Sequence, residues 1–251
     1  MPMPRAVSTV VWLPVNLVQA LFTVLWSAGW ISVALVAATF GGPLPALRLA
    51  RTAWGPGLLV AAGARLAVRG GAALAAGRAP LVVANHQSWI DVPALFRALP
   101  VPLHFLAKRE LAGVPWLGWY IRAMGMVFVE RGAARTASAA VGRAAELLAS
   151  GRAVVSFPEG TRSRDGRLGH FKSGGFGAAL AARAPVVPVA LVGSGRVLPP
   201  GGFRVRPGPI EVRIGEPIDV APFAPGDRAG LARAAEEAVR RLLADGVPRG
   251  A

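Results

Sequence analysis

From Ala6 to Leu47 the chain carries no charged residue. That run is about twice the ~20 apolar residues needed to cross a bilayer, so the N-terminus of any fold this chain adopts meets membrane. Pro14 lies near its start and Gly41-Gly42-Pro43-Leu44-Pro45 closes it, which predicts a helix from about Leu13 to Phe40, ~42 Å long at 1.5 Å per residue. A helix of that length overspans the hydrocarbon and must tilt or lie partly in the interface. It makes a poor secretory signal, because the apolar run is too long and no small-residue cleavage site follows a short apolar core.

The next stretch, Ala46 to Val68, is apolar but carries Arg48, Arg51 and Arg65 and is broken by Gly55-Pro56-Gly57. It reads as an interfacial arm with snorkelling arginines. Two topologies follow: one crossing helix, or a helical hairpin dipping into one leaflet. Arg48, Arg51, Arg65, Arg69 and Arg78 follow the apolar run with no acid among them, against Arg5 alone before it. The positive-inside rule then places the remainder of the chain in the cytoplasm, on the cytoplasmic face of the membrane.

After Arg78 short β-branched runs alternate with Ala-rich helical stretches, the pattern of an α/β domain. Expected strands are Leu81 to Ala84, Leu103 to Ala107, Met126 to Glu130, Ala153 to Phe157, Val186 to Val192 and Ile210 to Ile214. Expected helices are Val92 to Leu99, Thr136 to Ser150, Gly174 to Arg183 and Arg228 to Ala244. The division is therefore a membrane-associated helical segment over 1–78 and one α/β domain over 79–251, with Pro199 to Pro209 a surface loop. A chain of 251 residues suits one such domain.

The formal charge of +15 invites a nucleic-acid partner. The positive charges are spread rather than striped, however, and accompany a hydrophobic fraction of 53%, which points to an anionic membrane surface and no nucleic acid. There is no cysteine, so disulfides, thiolate metal sites and a cysteine nucleophile are excluded. His86, His104 and His170 lack metal-ligand spacing, and no metal site is expected. Of the 28 basic residues only Lys108 and Lys172 are lysines, which singles out both positions.

His86 follows a strand-like run and precedes a helix, at the strand end where α/β sheets place ligands. A neutral imidazole there can take a proton from an alcohol if a second group fixes its tautomer, and Asp91 is the only nearby carboxylate. Asp91 followed by Val92-Pro93 is also a good N-cap, and its two oxygens allow both roles. Ser88 lacks the turn that exposes a serine nucleophile and reads as solvated or capping. Downstream, Glu159-Gly160-Thr161-Arg162 ends a strand and enters a turn whose backbone N–H groups, Thr161 hydroxyl and Arg162 guanidinium suit a phosphate; an ordinary basic loop is the alternative. Arg131 and Lys108 follow strands and lie at the same sheet edge if those strands are parallel. Lys172 precedes a helix N-terminus, useful for an anion.

These residues resemble the bacterial 1-acyl-sn-glycerol-3-phosphate (lysophosphatidate) acyltransferase family. Its H-x4-D block corresponds to Asn85 through Asp91, its second block to Gly125, Phe128 and Arg131, its F-P-E-G-T-R-S block to Phe157 through Ser163, and its V-P-V block to Val187-Pro188-Val189. The resemblance covers roughly residues 80 to 220 and extends to the N-terminal segment. It implies a single mixed-sheet, glycerolipid-acyltransferase-like α/β domain flanked by helices, with a membrane-embedded N-terminal helical segment. His86 is then the general base and Asp91 its orienting group. Arg162, Arg131 and Lys108 hold the acceptor's phosphate, and Glu159, Gly160 and Thr161 belong to the substrate-binding loop. No cofactor is implied; acyl-CoA or acyl carrier protein supplies the thioester and a membrane lipid accepts the acyl chain. An acyltransferase for another lysolipid or for glycerol 3-phosphate, a hydrolase and a non-catalytic lipid-binding protein are the rival readings.

Overall fold

The computed structural model describes residues 5–72, 74, 77–130, 134–202 and 204–245. Helix α1 runs from Arg5 to Gly41, about 55 Å at 1.5 Å per residue. Pro43 ends it, because proline offers no N–H and pushes the preceding residue out of the helical region. The chain then doubles back through α2 (Pro43–Leu49), a π-helical turn (Ala50–Trp54) and α3 (Gly55–Ala61). Polar side chains fasten this return to α1: Gln19 Nε2 donates to the Ala61 carbonyl (3.1 Å), Trp26 Nε1 to that of Trp54 (3.1 Å), and Trp54 Nε1 to Ser27 Oγ (3.0 Å). Gly57 permits the close approach, since any Cβ there would collide with the Trp26 indole.

Arg65 and Val68, expected in an interfacial arm, instead lie in strand β1 (Ala64–Gly70), which pairs parallel to β7 (Gly208–Ile214). The α/β sheet therefore begins N-terminal to residue 78. An edge strand with mostly exposed side chains shows no apolar run, and its partner lies far along the sequence, so neither local pattern nor spacing reveals it.

Between these flanks lie β2 (Leu81–Ala84), α4 (Asp91–Ala98), β3 (Leu103–Lys108), α5 (Leu117–Ala123), β4 (Val127–Val129), α6 (Ala134–Ala149), β5 (Ala153–Ser156), α7 (Phe176–Ala182), β6 (Val186–Val192) and α8 (Ser194–Val197). The last helix, α9, spans Arg228–Ala244 and is capped by Asp227, whose carboxylate accepts the Gly230 N–H at 2.7 Å. The seven strands form one sheet in the order β1-β7-β6-β2-β5-β3-β4. The five from β6 to β4 are mutually parallel, β7 is antiparallel to β6, and the sheet is mixed.

The central strands are buried on both faces, so their sequences are continuous apolar runs sorted by alternation. Val82, Ala84, Val155, Val187 and Val189 face a layer made by α1 to α5. Leu81, Val83, Val154, Val186 and Ala190 face α6, α7 and α9. Leu231, Ala235 and Val239 of α9 recur at helical spacing against that second face, with Leu231 wholly buried; Leu231→Ala would cost roughly 2–5 kcal/mol. The stretch expected as a surface loop after Pro199 reaches inward instead. Val205 is buried there, and its N–H donates to Asn16 Oδ1 on α1 at 3.0 Å.

Along α1 the side toward the domain carries Asn16, Gln19, Trp26, Ser27, Ile31 and Ala34, while Leu17, Val18, Leu21, Leu25, Val33 and Val36 are exposed on the other. Leu13–Gly41 is long and apolar enough to cross a membrane, with only 11% of its most apolar stretch buried. That bare apolar side makes α1 a membrane-associating helix.

Candidate active site

Because β2, β5, β3, β4 and β6 are parallel, their C-terminal ends share one edge, and the edge residues assemble around the loop after β2. Asn85 locks the root of that loop to β6: its Nδ2 donates to the Leu191 carbonyl (2.9 Å) and its Oδ1 accepts the Leu191 N–H (2.7 Å). His86 follows, its ring stacked on Phe157 from the end of β5 at 4.0 Å between centroids and 15° between planes.

Asp91 begins α4 wholly buried. Its Oδ2 lies 2.8 Å from His86 Nδ1 and also accepts the N–H groups of Gln87 and Ser88, each at 2.8 Å. The N-cap position belongs to Ile90, with no side-chain cap bond. Asp91 therefore fastens the loop ahead of the helix rather than capping the helix. Two backbone N–H groups on one oxygen, at a helix N-terminus, make that oxygen an acceptor toward the ring as well. Nδ1 must then carry the hydrogen, which leaves the lone pair on Nε2. Ser88 is buried, not solvated: its Oγ donates to the Leu198 carbonyl at 2.6 Å and accepts the Ile90 N–H at 3.2 Å.

Glu159 is buried under the same loop. Its Oε1 accepts the His86 N–H (2.7 Å) and its Oε2 the Gly169 N–H (2.9 Å). Burial pushes its carboxyl above the ordinary range, and the two backbone donors oppose that rise. The next residues turn at Gly160, whose φ of +75° suits glycine, and a Cβ there would meet Lys172 Nζ at 3.1 Å. Lys172 is thereby set against the turn. Thr161 is exposed. The Arg162 guanidinium lies over the Trp89 indole at 4.5 Å from its centroid, with Nη1 buried and lacking a protein acceptor. Ser163 N–H donates to the His86 carbonyl at 2.7 Å. Both backbone groups of His86 are thus tied to the loop that carries Arg162, and the two side chains share one edge.

Lys108 ends β3 on that edge, but its exposed ammonium pairs with Glu110 at 2.7 Å. Arg131 lies outside the described residues. His170 is exposed and pairs with Glu236 at 2.9 Å. His104 is buried at the start of β3, away from the C-terminal strand ends, and burial lowers its pKa. Among the described residues no group of three or more His, Cys, Asp or Glu side chains is placed to hold a metal ion. The sequence gives no role to Asn85, Trp89 or Phe157. Adjacency of β2 and β5 is the signal that would have placed Phe157 under His86; Trp89 has none.

An oriented imidazole beside a cationic turn, at the C-terminal edge of a mixed sheet, is equipped to deprotonate a hydroxyl on an anionic substrate. The chain belongs to the acyltransferase family, whose model matches residues 65–192, from β1 to the end of β6. It is 39% identical over 137 residues to a chloroplastic 1-acyl-sn-glycerol-3-phosphate acyltransferase of Brassica napus, covering 54% of this chain and 40% of that one. It is 36% identical over 183 residues to a lyso-ornithine lipid O-acyltransferase of Pseudomonas aeruginosa, covering 66% of this chain and 69% of that one. Among solved structures it resembles the 1-acyl-sn-glycerophosphate (LPA) acyltransferase PlsC of Thermotoga maritima, with a TM-score of 0.82, 27% identity, and 97% and 99% of the two chains covered. Matches to the plant relatives span between 38% and 50% of those proteins' length.

Proposed function

We propose that this chain transfers an acyl group from acyl-CoA or acyl carrier protein to the sn-2 hydroxyl of 1-acyl-glycerol 3-phosphate, giving phosphatidate. The observation that carries this reading is the 2.8 Å contact between His86 Nδ1 and the buried Asp91 carboxylate, beside Arg162 with its unpartnered Nη1. Nε2 takes the hydroxyl proton as the oxygen attacks the thioester carbonyl. The tetrahedral oxyanion collapses, the carbon–sulfur bond breaks, and the imidazolium returns its proton to the leaving thiolate. Asp91 stabilises the imidazolium between the two steps. Arg162, with Lys172, Lys108 and Arg131, supplies positive charge for the acceptor's phosphate, and Glu159, Gly160 and Thr161 shape the loop. The thioester supplies the activation, so the scheme uses no cofactor and no nucleophilic residue.

The partner surface in this reading is the membrane. Polar and packing contacts run along α1 from Asn16 to Ala34, about 27 Å, so the helix lies against the domain instead of leaving it. That supports the hairpin dipping into one leaflet, and the arginines after α1 support a cytoplasmic face.

One observation favours a second acceptor: the sequence match to the lyso-ornithine lipid enzyme runs over 183 residues, against 137 for the Brassica napus enzyme. The cationic turn suits a dianionic phosphomonoester better than a zwitterionic aminolipid, whose single carboxylate is offset by its ammonium. Purified protein offered both acceptors with acyl-CoA, with products read by mass spectrometry, decides between them. Phosphatidate from the wild type, and about 10²- to 10⁴-fold less from His86→Ala, is the expected result. Acyl-ornithine lipid alone would replace the acceptor, free fatty acid alone would indicate a hydrolase, and undiminished transfer by His86→Ala would remove the base.

A further inference from the structure

After β3 the chain makes a 3₁₀ turn (Arg109–Gly113) before α5. Between and within them Val114, Trp116 and Trp119 are exposed at 43%, 45% and 53%, and the two indoles lie 5.5 Å apart. Single exposed apolar residues are ordinary; a contiguous Val-Pro-Trp with a second indole one turn on is not. The backbone is strained to present it. Trp116 has φ 58° and ψ −56°, and the Leu117 N–H bonds to the Pro115 carbonyl at 2.6 Å, a γ-turn of the rare positive-φ kind around a bulky residue.

The patch continues into α1. Trp116 Nε1 donates to Ser32 Oγ at 3.3 Å, and Ser32 lies on the exposed side of α1 beside Val33 and Val36. Basic residues border it. Arg109 and Arg122 are exposed, and Arg122 is held by the Ala112 carbonyl (2.9 Å) and the Phe128 ring (5.7 Å). The nearby acid, Glu110, is taken by Lys108. Indoles suit the boundary between acyl chains and headgroups, and arginines suit anionic headgroups.

We propose that the Val114–Trp119 turn inserts into the same anionic lipid leaflet as α1, forming a second docking point that fixes the strand-end edge carrying His86 against the bilayer. This rests on the membrane-lipid reading of the substrate, but its position can be tested without turnover. The chain has no cysteine, so a spin label can be placed at Trp119→Cys and, as reference, at Glu237→Cys on the exposed face of α9. On vesicles of phosphatidylethanolamine with phosphatidylglycerol, the label at 119 becomes accessible to oxygen and shielded from a water-soluble nickel chelate, while the label at 237 stays in water. A label at 119 that remains open to the chelate in vesicle-bound protein overturns the proposal.

In a second assay, the Trp116→Ala, Trp119→Ala double variant loses about tenfold in transfer to a vesicle-embedded acceptor and keeps transfer to a short-chain, water-soluble one. Equal losses in both assays would make the turn merely structural and also overturn the proposal. An immersed label in a protein inactive toward every acceptor would uphold the docking while removing the enzymatic reading.

Discussion

The two halves of the site are finished to different degrees. Around His86 the loop is held from several sides: Asp91 has no exposed surface and uses its Oδ2 while Oδ1 has no protein donor, Glu159 is buried, and the loop is bonded through the backbone N–H and carbonyl of His86 as well as its ring. The cationic half is looser. Arg162 keeps a buried nitrogen without a protein acceptor, and Lys108 spends its charge on a solvent-exposed glutamate. Proton abstraction tolerates little geometric error, so its parts are locked before substrate arrives. An anion site gains from cations left for the ligand to satisfy, because a donor fully paired within the protein has less to offer a phosphate.

The largest expected effect lies in the locked half. Asp91→Asn replaces the carboxylate that meets His86 Nδ1 and two backbone N–H groups with a neutral amide, which has no charge to stabilise the imidazolium. Turnover should fall about 10²- to 10⁴-fold, with the acceptor KM nearly unchanged, in steady-state assays of phosphatidate formation.

Glu159→Gln comes next. One backbone N–H, of His86 or Gly169, would face an amide N–H, costing roughly 1–3 kcal/mol, read as a lower midpoint in urea titration. The variant also has a pH signature. Burial raises the folded carboxyl above its ordinary value of 4.5, so the folded state holds this proton more tightly than the unfolded state does. The resulting stability is present below pH 4.5 and is lost as pH rises through the folded value. The stability gap between wild type and Glu159→Gln should therefore shrink with rising pH over that window, and a gap independent of pH would contradict the role of burial.

In the looser half, Arg162→Lys keeps the charge but loses the planar fork and the stack on Trp89. The acceptor KM should rise about tenfold with kcat retained. Smallest of all is Lys108→Ala. Its exposed pair with Glu110 is worth about 0.2–1 kcal/mol, so thermal stability should hardly move, and the acceptor KM should rise only severalfold.

How much of this was legible in the sequence follows burial. Strands β2 and β6 and helix α9 match their expected bounds residue for residue, since doubly buried strands and a capped amphipathic helix write themselves into local pattern. Strand β1 and helix α5 left no such trace: one is an exposed edge strand with a remote partner, the other seven residues long with Trp119 facing outward. In the site, His86, Asp91, Glu159 and Arg162 were legible because few residue types serve their chemistry. Asn85, Phe157 and Trp89 were not, because their roles depend on which strand neighbours β2 and on the path of a loop more than seventy residues downstream.

The central claim, a fixed proton-abstracting half beside a cationic half completed by substrate, is tested most directly by measuring kcat and acceptor KM for Asp91→Asn and Arg162→Lys side by side. The account predicts a loss confined to kcat in the first and to KM in the second. Losses of kcat in both, with KM unmoved in Arg162→Lys, would contradict it.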